Sequence, residues 1–228
     1  MNVVAPTEAR SEGYSARQNA VLESALALLV EGGERALTTA SVARAANCSK
    51  ESLYKWFGDR DGLLAAMITF QASKVRAEPR PIGQAGLPAL RSQLAGIAAN
   101  LLRVLGGDVS IALNRLAIGQ GRRDAADLGR LVLEHGRRPI ETRLSALLEE
   151  GRDAGLLAFA ETREAYRTLY GLVVRDMHVR LLLGDRFDDA SPAARADEAI
   201  NQFLRLYGVE ENAGPVPKRA GAGNERTG

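Results

Sequence analysis

Between Thr38 and Asp59 the chain alternates helix-start and helix-stop signals so closely that few folds accommodate them. Thr38 is placed to cap a short helix through Ala46, with Val42, Ala45 and Ala46 facing inward. Asn47 follows; asparagine tolerates a left-handed backbone best after glycine, and a left-handed residue here ends the helix abruptly. Ser49 then caps a new helix within three residues of the last one's end. Two short helices joined this tightly must cross steeply, which predicts a helix-turn-helix.

Helical signals continue along the rest of the chain. Apolar residues recur at three-four spacing, β-branched runs are few, and no Asn-Gly or Asp-Gly hairpin turn separates alternating segments. The expected fold class is therefore all-α, with about nine helices. Ser15 with Gln18 is a capping-box signature ahead of the stripe Val21, Leu22, Ala25, Leu26 and Leu29, which Gly32-Gly33 stops. Asp59 caps a fourth helix expected to reach Glu78, and "PRPIG" over 79–83 reads as a hinge. Residues 86–105, 108–119, 125–154, 162–183 and 192–207 then read as five longer helices, the third interrupted or kinked at Pro139. Ser191-Pro192 opens the last of them and Gly208 ends it. The expected domains are a helix-turn-helix domain with its connecting helix over 15–78 and a larger helical domain over 84–208. Disordered tails are expected over 1–14 and 209–228.

Composition narrows the function. With 228 residues and 46% hydrophobic content the chain has enough apolar side chain for a packed core. Its apolar runs fall far short of the roughly 18 residues of a membrane span, and export is not expected, since the first residues carry no early lysine or arginine followed by an apolar block of signal-peptide length. The lone Cys48 rules out an internal disulfide and fits a reducing cytoplasm, the expected location. Net charge is only +2, and residues 1–78 hold nine Lys/Arg against nine Asp/Glu. Contact with nucleic acid must therefore come from local placement of charge.

The stretch "SKESLYKWFGDRDGLL" over 49–64 shows such placement. With Lys50 at zero degrees, Leu53, Trp56 and Phe57 fall at about 300, 240 and 340 degrees, one inward face. Glu51 and Lys55 lie near about 100 and 140 degrees, flanked by Ser52 and Tyr54, with Lys50 at the margin. A helix of this width fits a major groove, where lysine reaches phosphate or guanine, hydroxyls donate to phosphate, and a carboxylate accepts from cytosine. Arg60, in the first turn of the fourth helix, and Thr38, with Arg44 beside it, stand at helix N-termini that favour anions. Each cation taken alone would be read as a solvated surface residue.

Thr38, then "VARAANCS" (42–49), "SLYKWF" (52–57) and "DRDGLL" (59–64), resembles the DNA-binding head of TetR/AcrR-type bacterial transcriptional regulators over about residues 15–62. Ser49, Leu53, Tyr54, Phe57, Arg60 and Asp61 carry the match. Asn47 departs from it where the family usually has glycine, and Glu51 where a small or basic residue is common. The resemblance implies that Thr38, Arg44, Lys50, Ser52, Tyr54, Lys55 and Arg60 contact DNA.

In the larger domain, the helix over 162–183 is apolar nearly all round, which suits a core on one side and a partner on the other. The resemblance implies that this helix and the last one pair with twofold mates. Leu172, Val179, Leu183, Ile200, Phe203, Leu204 and Tyr207 are the expected dimer contacts, although burial within one chain explains the same stripes. A twofold dimer would require a palindromic operator with half-sites roughly 34 Å apart or a multiple of it. The resemblance also implies a pocket for a small, mostly apolar effector among the helices from 86 to 183. Asn100, Arg175, Met177 and His178 are its expected lining. Internal hydrogen bonds, an Arg175-Asp176 pair or a dimer contact would account more readily for the polar ones.

Catalysis is not expected, and neither is a cofactor. Cys48, His135 and His178 are scattered without metal-ligand spacing, and "GQG" at 119–121 lacks the third glycine and preceding strand of a dinucleotide fingerprint. No Gly-x-Ser-x-Gly occurs. A helical interaction adaptor without DNA affinity is the remaining rival to a ligand-responsive repressor.

Overall fold

The computed structural model describes residues 13–76, 82, 85–120, 127–185 and 191–209. Both expected tails fall almost wholly outside these residues, as does most of the expected hinge. Every element within them is helical: α1 (Ala16–Ala36), α2 (Thr39–Ala45), α3 (Lys50–Phe57), α4 (Arg60–Ala72), α5 (Gly86–Gly106) and α6 (Asp108–Gln120) come first. They are followed by α7 (Asp127–Leu131), a π-helical segment (Val132–Arg137), α8 (Arg138–Asp153), α9 (Thr162–Val174), α10 (Met177–Leu182) and α11 (Pro192–Tyr207). No single helix among the described residues is long and apolar enough to cross a membrane.

The N-terminal helices start where short side chains cap them. The Ser15 hydroxyl accepts from the Gln18 amide while the Gln18 side chain accepts from the Ser15 amide, closing the box. The hydroxyls of Thr38, Ser49 and Ser191 and the carboxylate of Asp59 each accept from the backbone three residues on. Asn47 sits at φ 49, the left-handed residue between α2 and α3. The stripe of α1 is buried as expected, but that helix does not end at Gly32-Gly33. It kinks at Gly33 (φ 65) and resumes to Ala36. In α2, Ala43 is buried with Val42 and Ala46, whereas Ala45 faces solvent.

Two apolar clusters organise the packing. One joins α1 to α4 and takes in Leu113 of α6 and Leu128 and Leu131 of α7. The other is built from α5, α8, α9 and α11, with Ala72 at the end of α4 and Val75 and Ile82 from the connection after it. α6 thus packs against α1 although it follows the connection.

Two expectations about the helices are corrected. α4 stops at Ala72 rather than near Glu78, because the Arg143 guanidinium from α8 donates to the carbonyls of Ala72 (3.1 Å) and Val75 (2.6 Å). The expected helix over 162–183 is broken: Arg175 adopts φ 49 and ψ −133, and the chain restarts as α10. The carbonyls of Val173 and Val174, which a continuous helix would pair with later amides, accept instead from Arg195 of α11 at 3.3 and 3.2 Å. The interruption expected at Pro139 is present just ahead of it: regular α geometry lapses over Val132–Arg137 and resumes at Arg138, with Pro139 in the first turn of α8. The turn ahead of it widens to π geometry, with the Arg138 amide donating to the Leu133 carbonyl, which accommodates a residue that cannot donate.

Candidate nucleic-acid interface and helical-domain cavity

On α3, Leu53 and Phe57 are buried and Trp56 is half-buried, edge-on to Phe57 at 6.3 Å between ring centroids. That anchoring turns the opposite face outward. Lys50, Glu51, Tyr54 and Lys55 are exposed, Tyr54 at 56%. Ser52 is half-buried, its hydroxyl 3.1 Å from that of Ser49. Arg44 on α2 is exposed as well. Thr38, Tyr54 and Arg60 line one cleft of about 550 Å³ between the ends of α1 and α3 and the starts of α2 and α4.

Arg60 is engaged within the chain: its guanidinium donates to Glu34 at 2.8 Å, both side chains remaining about half exposed. The pair is solvent-screened, so its exchange for a phosphate costs little. Glu51 stands in the first turn of α3. Its own backbone amide, then the Ser49 hydroxyl, hold its carboxyl below the usual range, so the charge favours the helix start.

Sequence reasoning missed Arg17. From α1 its guanidinium donates to the carbonyls of Ala46 (3.1 Å) and Asn47 (2.5 Å), bracing the turn that sets α3 against α2. Arg35, in the last turn of α1, lines the same cleft as Tyr54 and was also missed. Neither carries a local signal beyond its charge.

A cavity of about 150 Å³ lies among α4, α5, α6, the π segment, α8, α9 and α10. Ile68, Leu101, Val104, Leu113, Val132 and Ile140 form its apolar wall. The Gln71 amide donates to the Ser110 hydroxyl at 3.2 Å and accepts from Lys74 at 3.0 Å, while Asn114 donates to the Ser110 carbonyl at 2.8 Å. That polar end is satisfied within the chain.

The other polar end is not. Tyr166, 1% exposed, and His178 also line the cavity, and the Tyr166 hydroxyl and His178 Nε2 are buried without a hydrogen-bond partner. Burial pushes the Tyr166 hydroxyl up to about 12 against the opposing pull of Arg137. Burial, then the positive charge of Arg137, lowers the pKa of His178, leaving the ring neutral at pH 7. The Arg137 guanidinium itself sits 4.5 Å from the centre of the Tyr170 ring.

Of the expected effector lining, His178 alone borders this cavity. Asn100 donates to the Arg76 carbonyl at 2.5 Å and accepts from Arg103, and Met177 is buried in the α5, α8, α9 and α11 core. Arg175 points to α11, where it donates to Glu198 (3.0 Å) and Gln202 (3.4 Å) rather than pairing with Asp176. The expected dimer contacts divide too. Ile200 and Phe203 are fully buried inside their own chain against α5 and α9, so they cannot form an interface; the three-four stripe of α11 serves the internal core. Tyr207 shares a hydrogen bond with Thr168 at 3.1 Å. Leu172 and Leu204 are half-buried, while Val179 and Leu183 on and just after α10 are 59% and 83% exposed.

The comparisons with known proteins agree with this geometry. Residues 21–67 match the description "Bacterial regulatory proteins, tetR family", and residues 92–209 match "AefR-like transcriptional repressor, C-terminal domain". The crystal structure of a TetR transcriptional regulator from Agrobacterium tumefaciens is 60% identical over 87% of this chain and 97% of its own, with a TM-score of 0.75. A flavonoid-responsive regulator, FrrA, is 27% identical over 85% of this chain and 98% of its own, with a TM-score of 0.62. A TetR-family structure from Mesorhizobium loti shares the fold at 22% identity and a TM-score of 0.67, covering 89% of this chain and 100% of that one. No curated protein is significantly similar in sequence. With both halves of the chain matched and a solved relative at 60% identity, the protein belongs to the TetR family of bacterial transcriptional regulators and is a DNA-binding regulator.

Proposed function

We propose that the protein is a cytoplasmic, homodimeric repressor that binds a palindromic operator and releases it when a small, mostly apolar effector fills the cavity. Residues 15–78 act as the DNA-binding unit and 84–208 as the effector and dimerisation unit. Thr38, Arg44, Lys50, Ser52, Tyr54, Lys55 and Arg60 contact the operator. Val179 and Leu183, both outward and apolar, join the half-buried Leu172 and Leu204 at the dimer contact.

The observation that carries this reading is the place of the cavity. Ile68, Gln71 and Ala72 of α4 form part of its wall, so a molecule inside touches the helix that follows α3 directly. Two buried polar atoms without partners line the same space, as a site for a partly polar ligand requires. An effector that prefers a displaced α4 shifts the spacing of the two α3 helices away from the operator. The relative FrrA is a flavonoid-responsive regulator, which supports control of this chain by a small molecule.

Fluorescence anisotropy with DNA from upstream of the protein's own and neighbouring genes tests the proposal. Sequence-selective binding that weakens steeply with salt is expected, because each phosphate contact releases counterions. Binding that is salt-insensitive or indifferent to sequence would leave the adaptor reading instead.

A further inference from the structure

Resting on the reading of the cavity as the effector site, we infer that the effector is a small monocarboxylate with a ring-sized apolar body, its carboxylate held by Arg137, Tyr166 and His178. Size sets the body. A cavity of about 150 Å³ matches the dry apolar space that takes up a single benzene ring. Larger polycyclic molecules would have to force the walls apart.

The polar groups set the head. Gln71, Ser110 and Asn114 at one end satisfy one another, so the ligand needs no polar group there. At the other end stand an orphaned hydroxyl on a side chain 1% exposed, an orphaned imidazole nitrogen, and a guanidinium. Among the described residues no carboxylate lies within ion-pair distance of Arg137. A guanidinium only donates, a tyrosine hydroxyl donates readily, and a neutral imidazole donates from Nε2 in one of its two tautomers. A carboxylate, which only accepts, satisfies all three at once and neutralises the one charge.

The backbone has a reason to bring Arg137 here. It is the last residue of the π segment, whose widened turn also places Val132, Leu133 and Gly136 on the cavity. Stacking on Tyr170 holds the guanidinium at the mouth, partly in water, so that an entering anion is never fully desolvated before it is paired.

Titration calorimetry with benzoate and its neutral isostere benzamide, on the full chain, tests the inference. Benzoate should bind the wild-type protein roughly 10- to 100-fold more tightly than benzamide, the range for hydrogen bonds to a charged group. R137Q should bring the two affinities together while leaving that of benzamide near its wild-type value, and R137K should keep part of the preference. Arg137 is exposed, so these variants should fold, and Y166F, which also lowers the preference, provides a second check that retains the ring. Equal or tighter binding of benzamide, or a preference that survives R137Q, would overturn the carboxylate assignment and leave the effector site standing. Binding of neither compound would overturn both.

Discussion

Gly62 lies where the fold has no room for a side chain, and Gly62→Ala should damage the DNA-binding head from within. A Cβ at this position would sit 1.9 Å from the carbonyl oxygen of Phe57 and 3.1 Å from its carbon. Both are backbone atoms and cannot swing aside; the end of α3 would have to withdraw from α4 by about 1 Å to reach the 3.0 Å below which such contacts are essentially never found. Overpacking of this kind costs about 1–3 kcal/mol, and the strained turn also holds the 2.8 Å bond from the Gly62 amide to Asp59. Greater helix propensity offsets less than about 1 kcal/mol. Gly96 supplies the control: it is exposed in mid-α5, an added Cβ would meet nothing within 4 Å, and its change to alanine should stabilise by about 0.5–1 kcal/mol. Urea unfolding at one fixed protein concentration, paired with operator anisotropy, separates the two. G62A should unfold earlier and bind the operator about ten-fold more weakly as α3 moves, a loss equal to one or two phosphate hydrogen bonds. A G62A midpoint at or above the wild-type value, with full DNA affinity, would show that the α3–α4 junction relaxes freely and would refute the reasoning.

Other outcomes follow from the same contacts. Lys55→Ala should weaken operator binding across sequences and reduce the salt slope by about one, with the unfolding midpoint unchanged; Tyr54→Phe should weaken binding without altering that slope. Leu53→Ala, at a site 4% exposed, should instead destabilise the head by about 2–5 kcal/mol in urea unfolding. Arg195→Ala removes the donors to the Val173 and Val174 carbonyls and should cost about 1–3 kcal/mol, with hydrogen exchange quickening first around the α9–α10 break. His178 has a folded pKa below its ordinary 6.5, so its unfolded form takes up a proton first as pH falls. The stability this contributes is present above pH 6.5 and lost below it; His178→Gln should flatten that part of the pH–stability curve.

The starts of the N-terminal helices were legible because each depends on a few consecutive residues. Ser15 with Gln18, Thr38, Ser49 and Asp59 all reach amides three residues away, and Asn47 turns left on its own intrinsic tolerance. Helical phase likewise separated Leu53 and Phe57 from Lys50, Tyr54 and Lys55, because a buried face and an exposed face repeat with the period of the helix. The end of α4 lay beyond such reading: it is set by Arg143, 71 residues after the Ala72 carbonyl that it caps. The break at Arg175 was hidden in the same way, since a non-glycine residue in this conformation persists only where surrounding structure holds it, here through Arg195, Glu198 and Gln202 of α11.

The candidate sites divide along the same line. Sequence alone determined the class of fold, the helix-turn-helix and its outward face, because these rest on local hydrogen bonds and on periodicity. Tertiary structure alone decided that Arg60 meets Glu34, that Arg17 braces the turn, and that Ile200 and Phe203 belong to an internal core rather than to an interface. It also decided the cavity, where Gln71, Ser110, Arg137, Tyr166 and His178 converge from five helical segments of the chain. Convergence of this kind has no period and no local partner; it is a property of how helices cross, and only their packing reveals it.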